Sequence, residues 1–578
     1  MIDVQSSVAR AKHELGENSF ILAAPFEIGR SLAERLTEEG RIAGYVADGP
    51  RTGLAVAGNW VDERRSCWRL RRGKSSAILF LGAEAQVGGR MLLEAFLAGV
   101  REIVLPTPAG GAVVRLPVIS TFARRLTGVL ITQIGNHVGE RAANIVRRRT
   151  YEQAFEEFYK QAGSTFRVGS DRVVTDRVLL IVGSLGPGGA ERQVATTARG
   201  LAQRSDWRPI VGVSRLADGG DFHHAALQAA RVPVETVSIN PACLHDDVCR
   251  GILASARQYG PDGFDQVAHI ILSYADFIAE RRPAIVHCWM DYCNVLAGIA
   301  ADLAGVPALV LSGRSMAPDH FDLHQPYMLP GYRALLAGRP NVVFTNNSRA
   351  GAADYARWLG VERDRFIVIH NGFDFPAPSS ARAQQNLRTS LGIPNGAPVM
   401  GTIIRFSEEK QPFLWIEVAT EVLKRVPGCY CVAFGGGQLL DEARKRIHQR
   451  GTVDRIKFPG ITKDPWTALA IMDVFLLTSR MEGLPNVLVE AQATGVPVVT
   501  TGKGGMVETY IDGDTGLTER SQRAGPIADA VATLLQEPTR LSRMSYQARA
   551  HAHSRFGSDV MLQATLLAYK NAANAHKQ

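Results

Sequence analysis

Between Val474 and Thr500 the chain leaves room for few folds. Val474-Phe475-Leu476-Leu477 is an unbroken apolar run, as expected of a strand covered on both faces in a parallel sheet. Gly483-Leu484-Pro485 reads as a turn, and Pro485 suits the first position of a helix, where a missing amide costs nothing. That helix is predicted to run to about Thr494 and to stop at Gly495. Val496-Pro497-Val498-Val499-Thr500 reads as the next strand.

Two carboxylates, Glu482 and Glu490, sit in this frame with seven residues between them. Glu482 is placed in the loop at a strand's C-terminal end, where open α/β sheets bind ligands. Glu490 lies about five residues into the helix, roughly 7 Å along its axis. Between the two is the helix N-terminus, whose free amides favour phosphate. One carboxylate near a sugar, a diphosphate on the amides and a second carboxylate near a ribose would suit a nucleotide-sugar. The plainer alternative is a surface loop followed by an amphipathic helix.

The Glu-x7-Glu pair in its strand-turn-helix-strand setting resembles the retaining GT-B glycosyltransferases, specifically glycosyltransferase family 4. Other segments are similar in the same order. Gly401-Thr402-Ile403-Ile404-Arg405 through Lys410 matches that family's strand followed by an Arg and a Lys, and Val368 to Asp374 matches its Asn-Gly segment before the second domain. Ser184 to Gln193 matches the Gly-rich first loop of a polysaccharide-building subset, and Thr501 to Glu508 matches the segment after the Glu-x7-Glu helix. The likeness runs from about Val173 to the C-terminus and leaves the first ~170 residues uncovered.

The resemblance implies an α/β GT-B fold, two Rossmann-like domains facing a cleft, with an additional N-terminal α/β domain. The expected division is 1–170 for the extra domain, 173–390 for the acceptor-side domain, 391–556 for the nucleotide-sugar domain and 557–578 for a helix returning to the first GT-B domain. It also implies roles. Glu482 would hold the donor sugar's hydroxyls, Glu490 the ribose, and Arg405 and Lys410 the diphosphate. Arg405, Lys410 and Glu482 are the catalytic candidates. Gly483, Leu484, Pro485, Asn486 and Val487 would complete the donor site, with Gly186, Gly188 and Gly189 closing from the opposite domain. Fixed cations over a diphosphate are what glycosyl transfer needs, because the leaving group gains charge in the transition state.

Composition agrees with an enzyme of this kind. A chain of 578 residues is too long for one core and implies two or three domains. Hydrophobic residues make up 46% and charged residues 21%, as in ordinary globular enzymes. Met1 to Asn18 is polar and charged, not a secretion signal, and no apolar run approaches the ~18 residues needed to span a bilayer. The expected location is cytoplasmic, with peripheral contact at the inner face of the membrane. The seven cysteines are scattered, with Cys429 and Cys431 close together, and no paired zinc or redox motif exists. The net charge of +9 favours anionic partners: a nucleotide-sugar, with UDP favoured over GDP, and a membrane carrying a lipid-linked or glycan acceptor. No aromatic-basic stripe or motif points to nucleic acid.

The first block has strands at Phe20–Ala24, Ala77–Leu81 and Glu102–Leu105, a helix at Met91–Gly99 and another from about Glu140 to Gln161. A basic run, Arg64-Arg65 to Lys74, is either a solvated face or a contact for membrane or acceptor. The second block opens with a strand at Arg177–Gly183 and its Gly-rich loop, which is either a close approach to phosphate or an ordinary βα turn. Further strands are read at Pro283–Met290 and Val306–Leu311. His287 could touch donor or acceptor, or be satisfied by backbone. The family's N-domain histidine cannot be carried over, since Trp289 and Tyr292 stand at the matching positions. Arg314 could meet acceptor or donor phosphate, or serve as a salt-bridge partner.

No cofactor and no metal are expected. Asp512-Gly513-Asp514 has the form of a metal-binding DxD but sits in a Gly-rich turn, and Asp319-His320 lies in a Pro-flanked loop without a companion cluster. The rival readings are a nucleotide-sugar epimerase of the same fold and a non-catalytic partner in a glycan-assembly complex.

Overall fold

The computed structural model describes seven strands between Phe20 and Pro117 by their backbone, and residues 140–163, 166 and 172–575 apart from 216–221, 239–246 and 322–323. The helix expected at Met91–Gly99 and the basic run from Arg64 lie outside the described residues. The chain divides into two compact units, 1–158 with 251–268, and 159–250 with 269–578.

The first unit carries a seven-stranded mixed sheet in the order β4-β3-β2-β1-β5-β6-β7. The strands are β1 (Phe20–Pro25), β2 (Ile42–Asp48), β3 (Gly53–Val56), β4 (Asn59–Asp62), β5 (Ala77–Phe80), β6 (Glu102–Pro106) and β7 (Val113–Pro117). The centre β2-β1-β5-β6 is parallel and the edges are antiparallel. In the same unit Phe264 takes the edge of Phe155 at 5.0 Å and 89°.

The second unit contains two wholly parallel sheets. One has the order β10-β9-β8-β11-β12-β13-β14, with β8 (Val174–Val182), β9 (Arg208–Val213), β10 (Val234–Thr236), β11 (Pro283–Trp289), β12 (Ala308–Gly313), β13 (Val343–Asn346) and β14 (Phe366–Val368). The other has the order β17-β16-β15-β18-β19-β20, with β15 (Val399–Ile403), β16 (Tyr430–Phe434), β17 (Ile456–Gly460), β18 (Val474–Leu477), β19 (Val498–Thr500) and β20 (Gly516–Thr518). Strands such as β18 are buried at every residue, which is why the sequence reads as continuous apolar runs. Each sheet reverses its winding beside its first strand, between β8 and β11 and between β15 and β18, and such switch points leave a crevice at the carboxyl ends.

Several expected boundaries shift, with β8 starting at Val174 and β19 at Val498 among them. Pro485 is the cap and not the first residue of its helix, which runs Asn486–Ala493. Strand β12 starts and ends two residues later than the apolar run suggests, because a side chain extends it: Asn294 accepts from the Ser312 amide at 3.1 Å and donates to the Ser312 carbonyl at 3.0 Å.

The chain crosses between the two sheets twice, and the crossings lie side by side. Phe373 donates its amide to Phe556, and Ser558 donates to Phe373. The C-terminal helix Ser558–Ala575 then packs on the helix Gly189–Arg204, where Leu562 stands so close to Gly200 that a Cβ there would lie 3.2 Å away. Leu562, Tyr569 and Ala572 share a core with Val178 and Leu180 of β8. Five described cysteines are buried and free.

Candidate active site

Loops following β8, β12, β13, β15 and β18, together with the linker at Asn371, line one cavity of about 540 Å³. Its C-terminal wall is built by the ends of β15 and β18. After β15 the chain passes Arg405, forms a short 3-10 turn at Glu408–Lys410 and enters a left-handed backbone at Gln411 (φ +49°) before Pro412 starts a helix. A non-glycine residue rarely adopts that conformation. Thr478 fixes it here, donating its hydroxyl to the carbonyls of Lys410 and Gln411 at 3.0 and 3.2 Å. The result aims Lys410 at Glu482, with Nζ 2.5 Å from Oε1 and side chains only 21% and 12% exposed. Arg405 lines the cavity more openly, at 71% exposure, and pairs with Glu409 at 3.1 Å.

Gly483 is required by close packing. A Cβ there would stand 2.6 Å from the Cα of Ser315 in the opposite domain. Leu484, Pro485, Asn486 and Val487 follow along the cavity wall. Glu490, one helical turn deeper, is 7% exposed. It pairs with Arg192, Nη1 to Oε1 at 2.5 Å, across the cleft. Arg192 belongs to the first turn of the helix that opens after the Gly-rich loop. Pro187, Gly189 and Ala190 line the cavity, and a Cβ on Gly189 would stand 2.7 Å from Asn486. Gly186 and Gly188 belong to the same turn without lining the cavity, and Gly188 caps the helix.

On the N-terminal wall Arg314 follows β12. Its guanidinium lies 4.6 Å over the ring of Trp289 and donates to Asn371 Oδ1, while its Nε is shielded and unpartnered. Burial lowers its pKa to about 9. Asn371 also donates to Asn486 Oδ1 at 2.5 Å, so this linker amide bridges both walls. His287 does not line the cavity. It is 2% exposed, its Nδ1 is 2.9 Å from the hydroxyl of Tyr569 in the C-terminal helix, and its ring lies 4.7 Å from Trp289. Burial, and secondarily the charge of Arg314, push its pKa down to about 3, so it is neutral.

Two features escaped the sequence reading. Arg192 was visible only as part of a loop motif, and nothing local says that it spans the cleft. Asp291, just after β11, accepts hydrogen bonds from Tyr332 at 2.9 Å and Tyr355 at 2.8 Å. Burial raises its carboxyl to about 6, while the two tyrosine bonds pull the other way.

Two of the metal candidates, Asp512 and His320, are engaged elsewhere. Asp512 accepts from the Thr518 amide at 2.8 Å, Gly513 turns with φ +85°, and His320 pairs with Asp354 at 2.9 Å. Among the described residues no group of three His, Cys, Asp or Glu side chains could hold a metal ion.

A family model for "Glycosyl transferases group 1" matches residues 383–551. The Vi polysaccharide biosynthesis protein VipC/TviE of Salmonella typhi is 32% identical over 59% of this chain, and the alignment spans 61% of that relative. A GDP-mannose-dependent phosphatidylinositol monomannoside mannosyltransferase of Mycobacterium tuberculosis is 31% identical over 47% of this chain and 74% of its own length. Among solved structures, Anabaena Alr3699/HepE in complex with UDP superposes with a TM-score of 0.54 at 22% identity, covering 68% of this chain and 98% of that one. A glycosyltransferase from Rickettsia africae gives 0.56 at 17% identity, covering 69% and 99%. The likeness to these structures shows the GT-B fold. Since the mycobacterial relative is matched across most of its length, the chain belongs to the group 1 glycosyl transferases.

Proposed function

We propose that the protein is a retaining glycosyltransferase of family 4 that moves a sugar from a nucleoside-diphosphate sugar to a hydroxyl acceptor in polysaccharide or cell-surface glycan assembly. The observation that carries this reading is the Lys410–Glu482 pair at the β15/β18 switch point, with Glu490 on the helix Asn486–Ala493 that follows, on one wall of a single cavity. Lys410 is drawn toward the cavity by a carboxylate that a donor sugar's hydroxyls can replace as its neighbour. It then faces the diphosphate, with Arg405, as the bond from the sugar's C1 to phosphate oxygen breaks. The acceptor oxygen bonds to C1 on the same face, and its proton passes to the departing phosphate. Glu482 orients the sugar, and Glu490 exchanges Arg192 for the ribose.

The Salmonella relative's name supports a polysaccharide product, and the Anabaena complexes with UDP and with UDP-glucose support a uridine donor. The net charge of +9 supports an anionic donor and a peripheral place beside a membrane-borne acceptor. Among the described residues no helix is long and apolar enough to cross a membrane. Residues 1–170 are assigned to acceptor access, membrane contact or assembly.

The test is to incubate the purified protein with a panel of nucleotide-sugars, with and without lipid-linked acceptors, and to measure nucleoside diphosphate release and anomeric configuration. Acceptor-dependent release with retained configuration is expected. Inverted product, or no release from any donor, would sink the reading. Transfer is also expected to survive EDTA. Loss restored by magnesium or manganese would return Asp512 and Asp319 as metal ligands.

A further inference from the structure

Six charged side chains line the cavity: Arg192, Arg314, Arg405, Lys410, Glu482 and Glu490. Three of the four cations already have a carboxylate. Arg192 holds Glu490, Lys410 holds Glu482, and Arg405 holds Glu409. Arg314 differs. Among the described residues no carboxylate lies within ion-pair distance of it; its partners are the oxygen of one amide, Asn371, and the face of Trp289. Its Nε makes no hydrogen bond and is shielded from solvent. His287, whose ring centroid lies 4.7 Å from that of Trp289, is neutral and offers no counter-charge.

A partly buried guanidinium without an anion is a liability for the folded chain, because desolvation of the charge is not offset by an attraction. Yet this one is held with care. Asn347 donates to the Arg314 carbonyl at 2.8 Å, and Gly483 packs against the Arg314–Ser315 backbone, so that Arg314 lines the same cavity as Glu482 and Lys410. Five N–H donors in a planar fork match the oxygens of phosphate or carboxylate. We infer that Arg314 is the oxyanion receptor of the cleft's N-terminal wall, taking as its counter-ion a negatively charged oxygen group of the bound substrates. Two sources carry that chemistry: the terminal phosphate of the donor's diphosphate, and a carboxylate on a sugar. The inference deepens the nucleotide-sugar reading above and rests on it.

The experiment uses the full chain as wild type, R314M and R314K. Methionine keeps the stack on Trp289 while removing the charge, and lysine restores a charge without the fork. UDP, UMP, GDP, GMP and glucuronate are titrated against each by calorimetry, and the melting temperature of the free protein is recorded. Charged hydrogen bonds predict that R314M loses about 10- to 100-fold in affinity for its preferred nucleoside diphosphate. The matching monophosphate changes little, and R314K recovers part of the loss. If the source is a sugar carboxylate, glucuronate affinity falls instead and the diphosphate is spared. Either result supports an oxyanion receptor and identifies its source. Melting of the free R314M protein should be no lower than that of wild type, since the variant removes an uncompensated charge. Unchanged affinity for diphosphate and glucuronate together, or a loss of melting temperature as the sole effect, would overturn the inference and leave Arg314 a packing residue. A wild type that binds neither UDP nor GDP defeats the nucleotide-sugar reading itself. In that case the glucuronate titration alone judges Arg314, and an affinity equal in wild type and R314M rejects its role.

Discussion

At the C-terminal wall of the cleft Lys410 meets Glu482 at 2.5 Å, whereas at the N-terminal wall Arg314 meets an indole ring and an amide. Both walls are ends of parallel sheets at a switch point, so topology alone does not separate them. They differ in where their polar groups go. The C-terminal wall exposes charges in opposite-sign pairs that a ligand can exchange. The N-terminal wall folds its polar groups inward, in a chain from Asp291 through Tyr332 to Asn294 and Ser312 that shapes the end of β12. One wall is equipped to meet a changing charge, and the other to hold a fixed geometry. Substitutions on the two sides should therefore fail differently.

The largest effect is expected at Lys410. On the proposed mechanism Lys410→Ala removes a cation from charge that grows as the sugar departs, and such losses typically cost about 10²–10³-fold in turnover. Donor affinity should change less. Steady-state kinetics on the folded variant decide it; a KM effect larger than the kcat effect would place Lys410 in ground-state binding and erase the contrast between the walls.

Asp291 gives the opposite signature, in stability. Its carboxyl is raised from 3.8 to about 6, so between those pH values the folded chain keeps a proton that the unfolded chain has released. Stability from this group is fully present below the unfolded value, declines as pH rises toward 6 and stays lower above it. A rise from 3.8 to about 6 corresponds to at most roughly 3 kcal/mol, reduced by what solvent still reaches the residue. Asp291→Asn keeps an oxygen to accept both tyrosine hydroxyls. Denaturant unfolding should show the variant gaining on wild type between pH 4 and pH 7. A difference independent of pH would mean that Asp291 stays ionised and that the network is not what burial implies.

Much of the C-terminal wall could be read from sequence because its parts are local. The run Val474–Leu477, the turn at Gly483 and the two glutamates lie within one short segment, so propensity and spacing placed them together. Boundaries moved by one to three residues. Pro485 became a cap, and β12 was carried on through Ser312 by Asn294, a side chain from another element. The N-terminal wall was less legible since its contacts are long in sequence. Arg192 and Glu490 are 298 residues apart, and His287 finds Tyr569 at a separation of 282. A histidine at a strand end looks alike whether it faces a ligand or a distant helix, and only the return of the C-terminal helix decides between them. In the first unit the described strands form a mixed sheet.

Glu490→Gln should produce a smaller loss than Lys410→Ala and of a different kind. A carboxylate that holds a ribose acts equally in ground and transition states, so its removal raises donor KM more than it lowers kcat. A charged hydrogen bond is worth roughly 1.5–3 kcal/mol, or about one to two decades in KM. On the proposed assignment Glu490 first releases Arg192, so Arg192→Ala alone should lower donor KM or leave it unchanged. If Glu490→Gln collapses kcat with KM intact, Glu490 acts on the reacting sugar and the roles of the two carboxylates are exchanged.

The smallest effect should come from Glu508, which ties the two sheets together and does not line the cavity. The helix Arg349–Leu359 begins in the N-terminal half, and Ser348 caps it by accepting from Gly351 at 2.9 Å. The first two amides, of Arg349 and Ala350, are left for a partner, and both donate at 2.8 Å to the carboxylate of Glu508 from the C-terminal half. His370 of the linker stands 3.3 Å from the same carboxylate. Burial alone would raise the pKa of Glu508; the bonds from His370 and the two amides outweigh it and hold the carboxyl below its usual value. Its stabilisation is therefore present above the ordinary Glu range and is lost as pH falls through the folded value. Loss of a helix cap costs about 0.5–2 kcal/mol, and Glu508→Ala should cost about that much at pH 7. The gap to wild type should close on acidification toward pH 3, the reverse of the trend for Asp291→Asn. Denaturation of both variants across the same pH series makes the comparison direct. Parallel trends in the two would show that the walls do not differ in how they hold charge.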